Sequence, residues 1–222
     1  MYGVVLAGGQ GTRLGELTKD TPKALIEVAG RPQIDYPLGI LEAMGCDTAV
    51  IVSSPEGRGQ LEDSLGESRR GMELRYATQP EPNGTADALL HANIFDSEPF
   101  PVLCGDVYFD SPLPSVDRPT LFYSEFDGAH NHTVWDPNTN RLVEKPEAKA
   151  GQLAIVGYVF DQRVFDVIPG LAPSARGEIE LLDVYRYYLE NGVEMQEYRG
   201  TFVDMGTPDG ISKVEDLEAA RA

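Results

Sequence analysis

The run Val4-Val5-Leu6-Ala7-Gly8-Gly9-Gln10-Gly11-Thr12-Arg13-Leu14 passes from an apolar segment into three glycines and a guanidinium, and Pro22-Lys23 follows. Glycines at the end of a strand let backbone N–H groups close around an anion. Arg13 can fork two phosphate oxygens, Lys23 supplies a point charge to one, and Pro22 stiffens the chain that presents it. Phosphoryl and nucleotidyl transfer need fixed positive charge of this kind where negative charge builds up. Two familiar phosphate loops are excluded. Gly11-Thr12-Arg13 does not supply the Gly-Lys-Ser/Thr of a P-loop, and Leu14 stands where a dinucleotide fingerprint needs a third small residue. A glycine turn with solvated basic residues is the bland alternative, and it leaves the coincidence of so many elements unexplained. Two carboxylates, Asp106 and Asp204, each close an apolar stretch further along.

These residues need elements to hold them. YGVVLA reads as a buried strand, RPQIDYPLGILEAMG as a helix that tolerates Pro37 only in its first turn, and DTAVIVSS as a second strand. PEGRGQLEDSLGES predicts a short polar helix, MELRYATQ a strand, and NGTADALLHANIF a helix with Thr85 at its start. FPVLCGDVYF predicts a strand ending at Gly105-Asp106. Strands and helices alternating at these lengths imply a mostly parallel sheet covered on both faces. After about residue 118 the rhythm changes: PTLFYSE, NHTVWD, RLVEKP and LAIVGYVF are strand candidates, with DPNTN as a turn. RGEIELLDVYRYYLENG predicts an amphipathic helix with Ile179, Leu182, Tyr185 and Leu189 on one side and Gly192 as its stop. VEMQEYRGTFVDMG reads as strands and TPDGISKVEDLEAARA as a closing helix.

No repeat, linker or low-complexity tract divides the 222 residues, so one α/β domain over 1–222 is expected. No apolar stretch approaches the ~20 residues of a membrane span. The start MYGVVLAGG lacks the basic residues and cleavage site of a signal peptide, and a cytoplasmic location is the expectation. Thirty-six acidic against 18 basic residues give a net charge of −18. Such a surface repels nucleic-acid backbones and anionic lipid, so neither nucleic acid nor membrane is an expected partner. Lys is scarcer than Arg, and an acid-rich, Lys-poor surface suits high intracellular salt, where ions screen self-repulsion. The melting temperature should therefore rise from low to molar KCl; no stabilisation would count against a salt-adapted source. Cys46 and Cys104 are too few for a disulfide framework or a metal pattern and read as inert buried hydrophobes.

The stretch LAGGQGTRLGELTKDTPKAL resembles the signature of the sugar-1-phosphate nucleotidyltransferases, L-A-G-G-x-G-T-R-L followed by P-K. The similarity continues in the family's order through QPEPNGTADAL, VLCGDVYF, VEKP, IVGYVF, RGEIELLDV and FVDMGTPDG, over nearly the whole chain. The resemblance implies a Rossmann-like, glycosyltransferase-A-like fold: a mostly parallel sheet with helices on both faces and an irregular antiparallel sugar-binding portion. Residues 1–117 would be the nucleotide-binding half and 118–222 the sugar-binding half. Leu6, Ala7, Gly8, Gly9, Gly11, Thr12 and Arg13 would hold the triphosphate of an NTP, and Lys23 would bridge the phosphates at the reacting centre. Gln79 and Gly84 would read the base, and Thr85 would join them in the nucleotide site. Glu144 would bind sugar hydroxyls and Lys145 the sugar phosphate, with Asn131, Val156 and Gly157 along the sugar. Asp106 and Asp204 match the family's metal-binding aspartates, and two oxygen ligands completed by phosphates and waters describe a Mg²⁺ site. Arg13, Lys23, Asp106 and Lys145 form the implied catalytic set.

Several details sharpen or qualify what is implied. The Gln79 amide offers a donor and an acceptor, suiting the imide edge of uracil or thymine, and Gly84 would let backbone approach the base closely. An aromatic-Gly pair usually precedes the E-K-P strand, but His130-Asn131 stand here. Phe202-Val203 stand where a Trp often precedes the metal aspartate. Both positions are expected to face the sugar, which leaves the hexose open. His130 and His132, without Cys partners, read as polar surface rather than metal ligands. The chain ends soon after Asp204, so no acyltransferase or allosteric extension is expected. The expected reaction is Mg²⁺-dependent transfer from dTTP or UTP to a sugar 1-phosphate, with room for a homo-oligomer. A GTP-dependent mannose- or heptose-phosphate enzyme, a CTP-dependent phospho-alcohol enzyme and a silent nucleotide-sugar-binding subunit are the rivals. The silent subunit would be expected to lose Lys23 or a metal aspartate.

Overall fold

The apolar run YGVVL forms β1 (Tyr2–Leu6), four of whose five residues are buried. A computed structural model describes residues 1–92, 98–125, 133–144, 153–174 and 177–221. After β1 come two tight turns of 3-10 helix, Thr12–Thr18 and Lys23–Leu25, and a small hairpin of β2 (Glu27–Val28) and β3 (Arg31–Pro32). Then follow α1 (Asp35–Ala43), β4 (Thr48–Ser53), α2 (Pro55–Leu65), β5 (Ser68–Arg69), β6 (Met72–Thr78) and α3 (Thr85–Leu90). Pro37 falls in the first turn of α1, where its missing N–H breaks no helical bond. The strands β7 (Phe100–Cys104), β8 (Val107–Phe109), β9 (Thr120–Glu125), β10 (Thr133–Asp136), β11 (Arg141–Glu144) and β12 (Leu153–Phe160) come next. The described chain closes with α4 (Arg163–Val167), α5 (Leu181–Glu190), β13 (Glu194–Glu197), β14 (Phe202–Asp204) and α6 (Pro208–Ala219).

Ten of these strands make one sheet, in which β7, β1, β4 and β6 run parallel and side by side. The antiparallel portion expected after residue 118 is built on β12, which pairs with β7, β9 and β10. From β1 the chain moves outward to β4 and β6, then returns across the sheet to β7 on the other flank of β1. Parallel crossovers are right-handed, so reversing direction moves the connecting helix to the opposite face. The packing shows this. Val5, Ala49 and Ile51 join Leu38, Leu41, Leu61 and Leu65 of α1 and α2, while Val4, Leu6, Val50 and Val52 join Leu89, Leu182, Tyr185 and Tyr188 of α3 and α5. The alternation along β1 and β4 thus feeds two cores. Each such aliphatic side chain, fully buried, is worth roughly 1.5–3 kcal/mol.

Two expectations about elements are corrected. The helix anticipated from Arg176 onward begins at Leu181, with Glu180 ahead of it in extended backbone and Ile179 outside it. Ile179 N–H donates to Asn83 O at 2.7 Å, and its carbonyl accepts from Ala86 N–H at 3.0 Å, so tertiary bonding overrides the helical pattern there. Thr85 does not cap α3. Gly84 occupies the cap position without a side-chain bond, and the Thr85 hydroxyl accepts from Leu181 N–H at 3.1 Å.

Cys46 is buried as expected, whereas Cys104 is half-buried. Burial pushes each pKa up to about 12, so neither is a ready nucleophile near neutral pH. Among the described residues, no helix is long and apolar enough to cross a membrane.

Candidate active site

In open parallel sheets the crevice lies at the carboxyl ends of the strands, where the strand order reverses. Here that point is between β1 and β7. Leu6 lies level with Val52 of β4 on one side and Cys104 of β7 on the other. Ala7 N–H donates to Val52 O at 2.7 Å, and Gly105 N–H to Leu6 O at 2.9 Å. Register therefore delivers the glycine loop and Gly105-Asp106 to the same edge of the sheet.

The glycine loop is folded back on itself. Gly11 has φ +64°, and the Thr18 hydroxyl lies 3.1 Å from the carbonyls of both Gly11 and Gly15. A Cβ on Gly11 would press to 2.6 Å from Thr18 Cγ2 and 3.2 Å from Lys23 Cβ, so glycine lets Lys23 pack against the loop. Gly9, Thr12 and Arg13 are exposed, Ala7 and Gly8 are half-buried, and Leu14 anchors the loop in the core.

Lys23 Nζ is ion-paired and hydrogen-bonded to Asp106 Oδ2. Arg13 Nη1 lies 3.6 Å from Asp204 Oδ2. The second carboxylate is brought in by β14, which pairs antiparallel with β8 so that Asp204 stands opposite Val107, next to Asp106. Met205 N–H donates to Asp106 O at 2.8 Å, and Gly206 N–H to Asp204 Oδ1 at 2.7 Å. A Cβ built on Gly206 would lie 2.6 Å from Asp204 Oδ1, 2.7 Å from Lys23 Nζ and 2.9 Å from Asp106 Oδ2. One ammonium and two carboxylates thus converge on one point over a glycine backbone.

Gln79 leaves the end of β6, its N–H held by Ser53 O at 2.9 Å. Its amide nitrogen donates to Gly84 O at 2.9 Å and to Asp87 Oδ2 at 2.7 Å. Both amide hydrogens are therefore used inside the protein, and the donor expected to meet a base carbonyl is not free; among the described residues Oε1 has no hydrogen bond. Gly84 adopts φ +109°, and a Cβ there would run into the backbone of Ile179, 2.7 Å from its N. The glycine is required by this chain crossing, whatever it does for a base.

The sugar-side assignments divide. Glu144 ends β11 opposite Thr133. Lys145 and Asn131, like His130 and His132, lie outside the described residues. Val156 is skipped in the register between β12 and β9, which shifts between Ile155 and Gly157, and its side chain is buried in the core. What this bulge can offer a ligand is backbone. The expectation that Phe202-Val203 face a sugar is corrected for Val203. It is fully buried with Tyr36, Tyr108, Met205 and Val214, and Phe202 packs on the Phe109 ring at 5.2 Å.

Reading the sequence missed Gln33, Asp87 and Gly206. Gln33 is fully buried at the entry to α1, and its Nε2 donates to Met205 O at 3.3 Å. A polar residue inside the apolar pattern ahead of α1 was the available signal. Gly206 had its signal in its place two residues after Asp204. Asp87 looked like an ordinary acid in the first turn of a helix.

A phosphate loop at the switch point of a doubly wound sheet, facing one lysine and two carboxylates, defines an α/β enzyme that handles nucleotide phosphates. The chain belongs to the nucleotidyl transferase family, whose model matches residues 2–118 and 125–220. It is 30% identical over 230 residues to the glucose-1-phosphate thymidylyltransferase of Neisseria gonorrhoeae, covering 95% of this chain and 80% of that protein. It is 32% identical to the low-salt glycan biosynthesis nucleotidyltransferase Agl11 of Haloferax volcanii, covering 98% of this chain and 66% of that one. A Bacillus anthracis structure described as a glucose-1-phosphate thymidylyltransferase in complex with a sucrose superposes with a TM-score of 0.88 at 27% identity, covering 98% and 95% of the two chains. A UDP-glucose pyrophosphorylase complexed with UDP-glucose shares the fold, with a TM-score of 0.85 at 21% identity over 100% and 99% of the chains. The chain is a sugar-1-phosphate nucleotidyltransferase, an enzyme whose family uses a nucleoside triphosphate and a sugar phosphate.

Proposed function

We propose that this enzyme joins dTTP or UTP to a sugar 1-phosphate with the help of Mg²⁺, releasing pyrophosphate. The observation that carries the proposal is the convergence of Lys23, Asp106 and Asp204 on Gly206 at the mouth of the glycine loop.

The oxygen donors fit a hard cation. Mg²⁺ is typically held by one or two carboxylates and completes its shell with phosphate oxygens and water, which Asp106 and Asp204 permit. Among the described residues no group of three or more His, Cys, Asp or Glu could hold a metal, which argues against an all-protein cage. When bound, the ion would neutralise phosphate charge and favour pyrophosphate as the leaving group.

The chain's own residues supply the rest. Lys23 and Arg13 rest on Asp106 and Asp204, so the site keeps its cations in place at little net charge. An incoming triphosphate offers both cations stronger partners. Arg13 would then clamp the phosphates beside the loop N–H groups, and Lys23 would lie against the α-phosphate. A sugar-phosphate oxygen attacks the α-phosphorus in line while the bond to the β-phosphate oxygen breaks. The nucleophile is already an anion, so alignment replaces a covalent enzyme intermediate. Lys145 would hold the sugar phosphate and Glu144 the sugar hydroxyls.

Base choice rests on Gln79. Its Oε1 suits the N3–H of uracil or thymine, and cytosine has a lone pair there. Discrimination against GTP is expected from the larger, two-ring base. UTP and dTTP should differ by no more than ~10–200-fold in kcat/KM if one methyl is the main difference, and both should exceed GTP and CTP. A preference for GTP would overturn the pyrimidine assignment in favour of a guanylyltransferase. The acidic, Lys-poor composition supports a salt-adapted enzyme. A cytoplasmic setting, where nucleoside triphosphates are available, accords with the substrates.

A further inference from the structure

Gln79 is 9% exposed, and its neighbours allow its amide one orientation. A primary amide nitrogen carries two hydrogens, and Gly84 O and Asp87 Oδ2 take both, at 2.9 and 2.7 Å. Turning the amide over would set Oε1 against a carbonyl oxygen and a carboxylate oxygen. Two attractions, one of them charge-assisted, would become two repulsions. The hydrogen-bond network therefore assigns the amide. Oε1, to which no hydrogen bond is found among the described residues, lies 3.7 Å from where a Cβ on Gly8 would stand, beside the glycine loop.

We propose that Asp87 is a specificity-determining positioning residue: by fixing the Gln79 amide it makes the base site accept a ring N–H and refuse a ring nitrogen lone pair. The inference rests on the assignment of Gln79 to the base site made above. Uracil and thymine bring N3–H to that acceptor, whereas cytosine brings a lone pair and is repelled. Asp87 reaches the base only through Gln79. Gly84 O is a main-chain acceptor that no side-chain change removes, so it holds part of the orientation, and Asp87 is the part that substitution can release. On its other side, His91 Nε2 lies 3.6 Å from Asp87 Oδ2.

The competing explanation is that Asp87 merely complements the start of α3. A helix-start acid would affect all triphosphates alike; an amide-orienting acid changes their ratio. The test is kcat/KM for UTP, dTTP and CTP with wild type, Asp87→Asn, Asp87→Ala and His91→Gln. A ratio measured on one preparation cancels any loss of folded enzyme, so a poorly folding variant remains informative. Asp87→Asn can donate as well as accept, and Asp87→Ala does neither; both let the Gln79 amide turn. The UTP-to-CTP ratio should fall ~10-fold in both, equivalent to ~1.4 kcal/mol. His91→Gln should leave the ratio unchanged. If the ratio stays at the wild-type value in both Asp87 variants while all rates fall together, the inference is wrong. A wild type that itself prefers CTP to UTP and dTTP would instead sink the base-site assignment of Gln79. A pyrimidine imide preference with an unmoved ratio sinks only the role of Asp87.

Discussion

Gly206→Ala is expected to lower turnover by ~10²-fold, the size of effect that an ångström-scale misplacement of reacting groups produces, with the fold retained. The added methyl would stand 2.6–2.9 Å from Asp204 Oδ1, Lys23 Nζ and Asp106 Oδ2, where no Cβ can stay without displacing them. All three are ends of side chains, so they would move rather than force the backbone apart. Gly206 does not have a positive φ, so alanine meets no backbone penalty. The same variant separates site from scaffold: kcat should collapse while the melting temperature stays near wild type. A variant with wild-type turnover would show that the convergence of these three groups is incidental to the reaction.

Asp106→Asn should cost at least ~10²-fold in kcat, the typical loss when one fixed electrostatic contact is removed from a transition state. The substitution keeps the volume and deletes the charge that both pairs with Lys23 and would hold the cation. Some loss of melting temperature is expected as well, because Lys23 and Asp106 are only 13% and 18% exposed and the substitution leaves the ammonium without its charged partner. Turnover near wild type at saturating Mg²⁺ would remove Asp106 from the site. The two variants fail differently: Asp106→Asn should also demand more Mg²⁺ for half-maximal rate, whereas Gly206→Ala keeps both carboxylates and loses their arrangement.

The parallel half of the sheet was legible because β1, β4 and β7 are short apolar runs bounded by glycine or polar residues, a pattern that buried strands produce. The identities of Lys23, Asp106 and Asp204 were legible from their motifs. Their meeting was not, since 83 positions separate Lys23 from Asp106 and the register of β1 with β7 closes that gap. Ile179 misled because its apolar character continues the period of α5, while its backbone is committed to Asn83 and Ala86. The same crossing engages Gly84 and Thr85, whose local sequence reads as a helix start and gives no sign of the contact with Ile179 and Leu181. Val203 misled through an assumed orientation: on a three-residue strand the side chains alternate, and Asp204 facing the site turns Val203 into the core.

Direct transfer of a nucleotidyl group to a sugar phosphate at the Lys23–Asp106–Asp204 cluster is what the proposed function requires. It is tested most directly by following pyrophosphate and nucleotide-sugar together, with UTP or dTTP, Mg²⁺ and a panel of sugar 1-phosphates. For a sugar the enzyme uses, the two products should appear in equal amounts from the first turnover, and neither should appear when the sugar phosphate is omitted. Pyrophosphate released without a sugar phosphate, or ahead of the nucleotide-sugar as a burst, would mean that water or an enzyme side chain takes the nucleotidyl group, and would contradict the account.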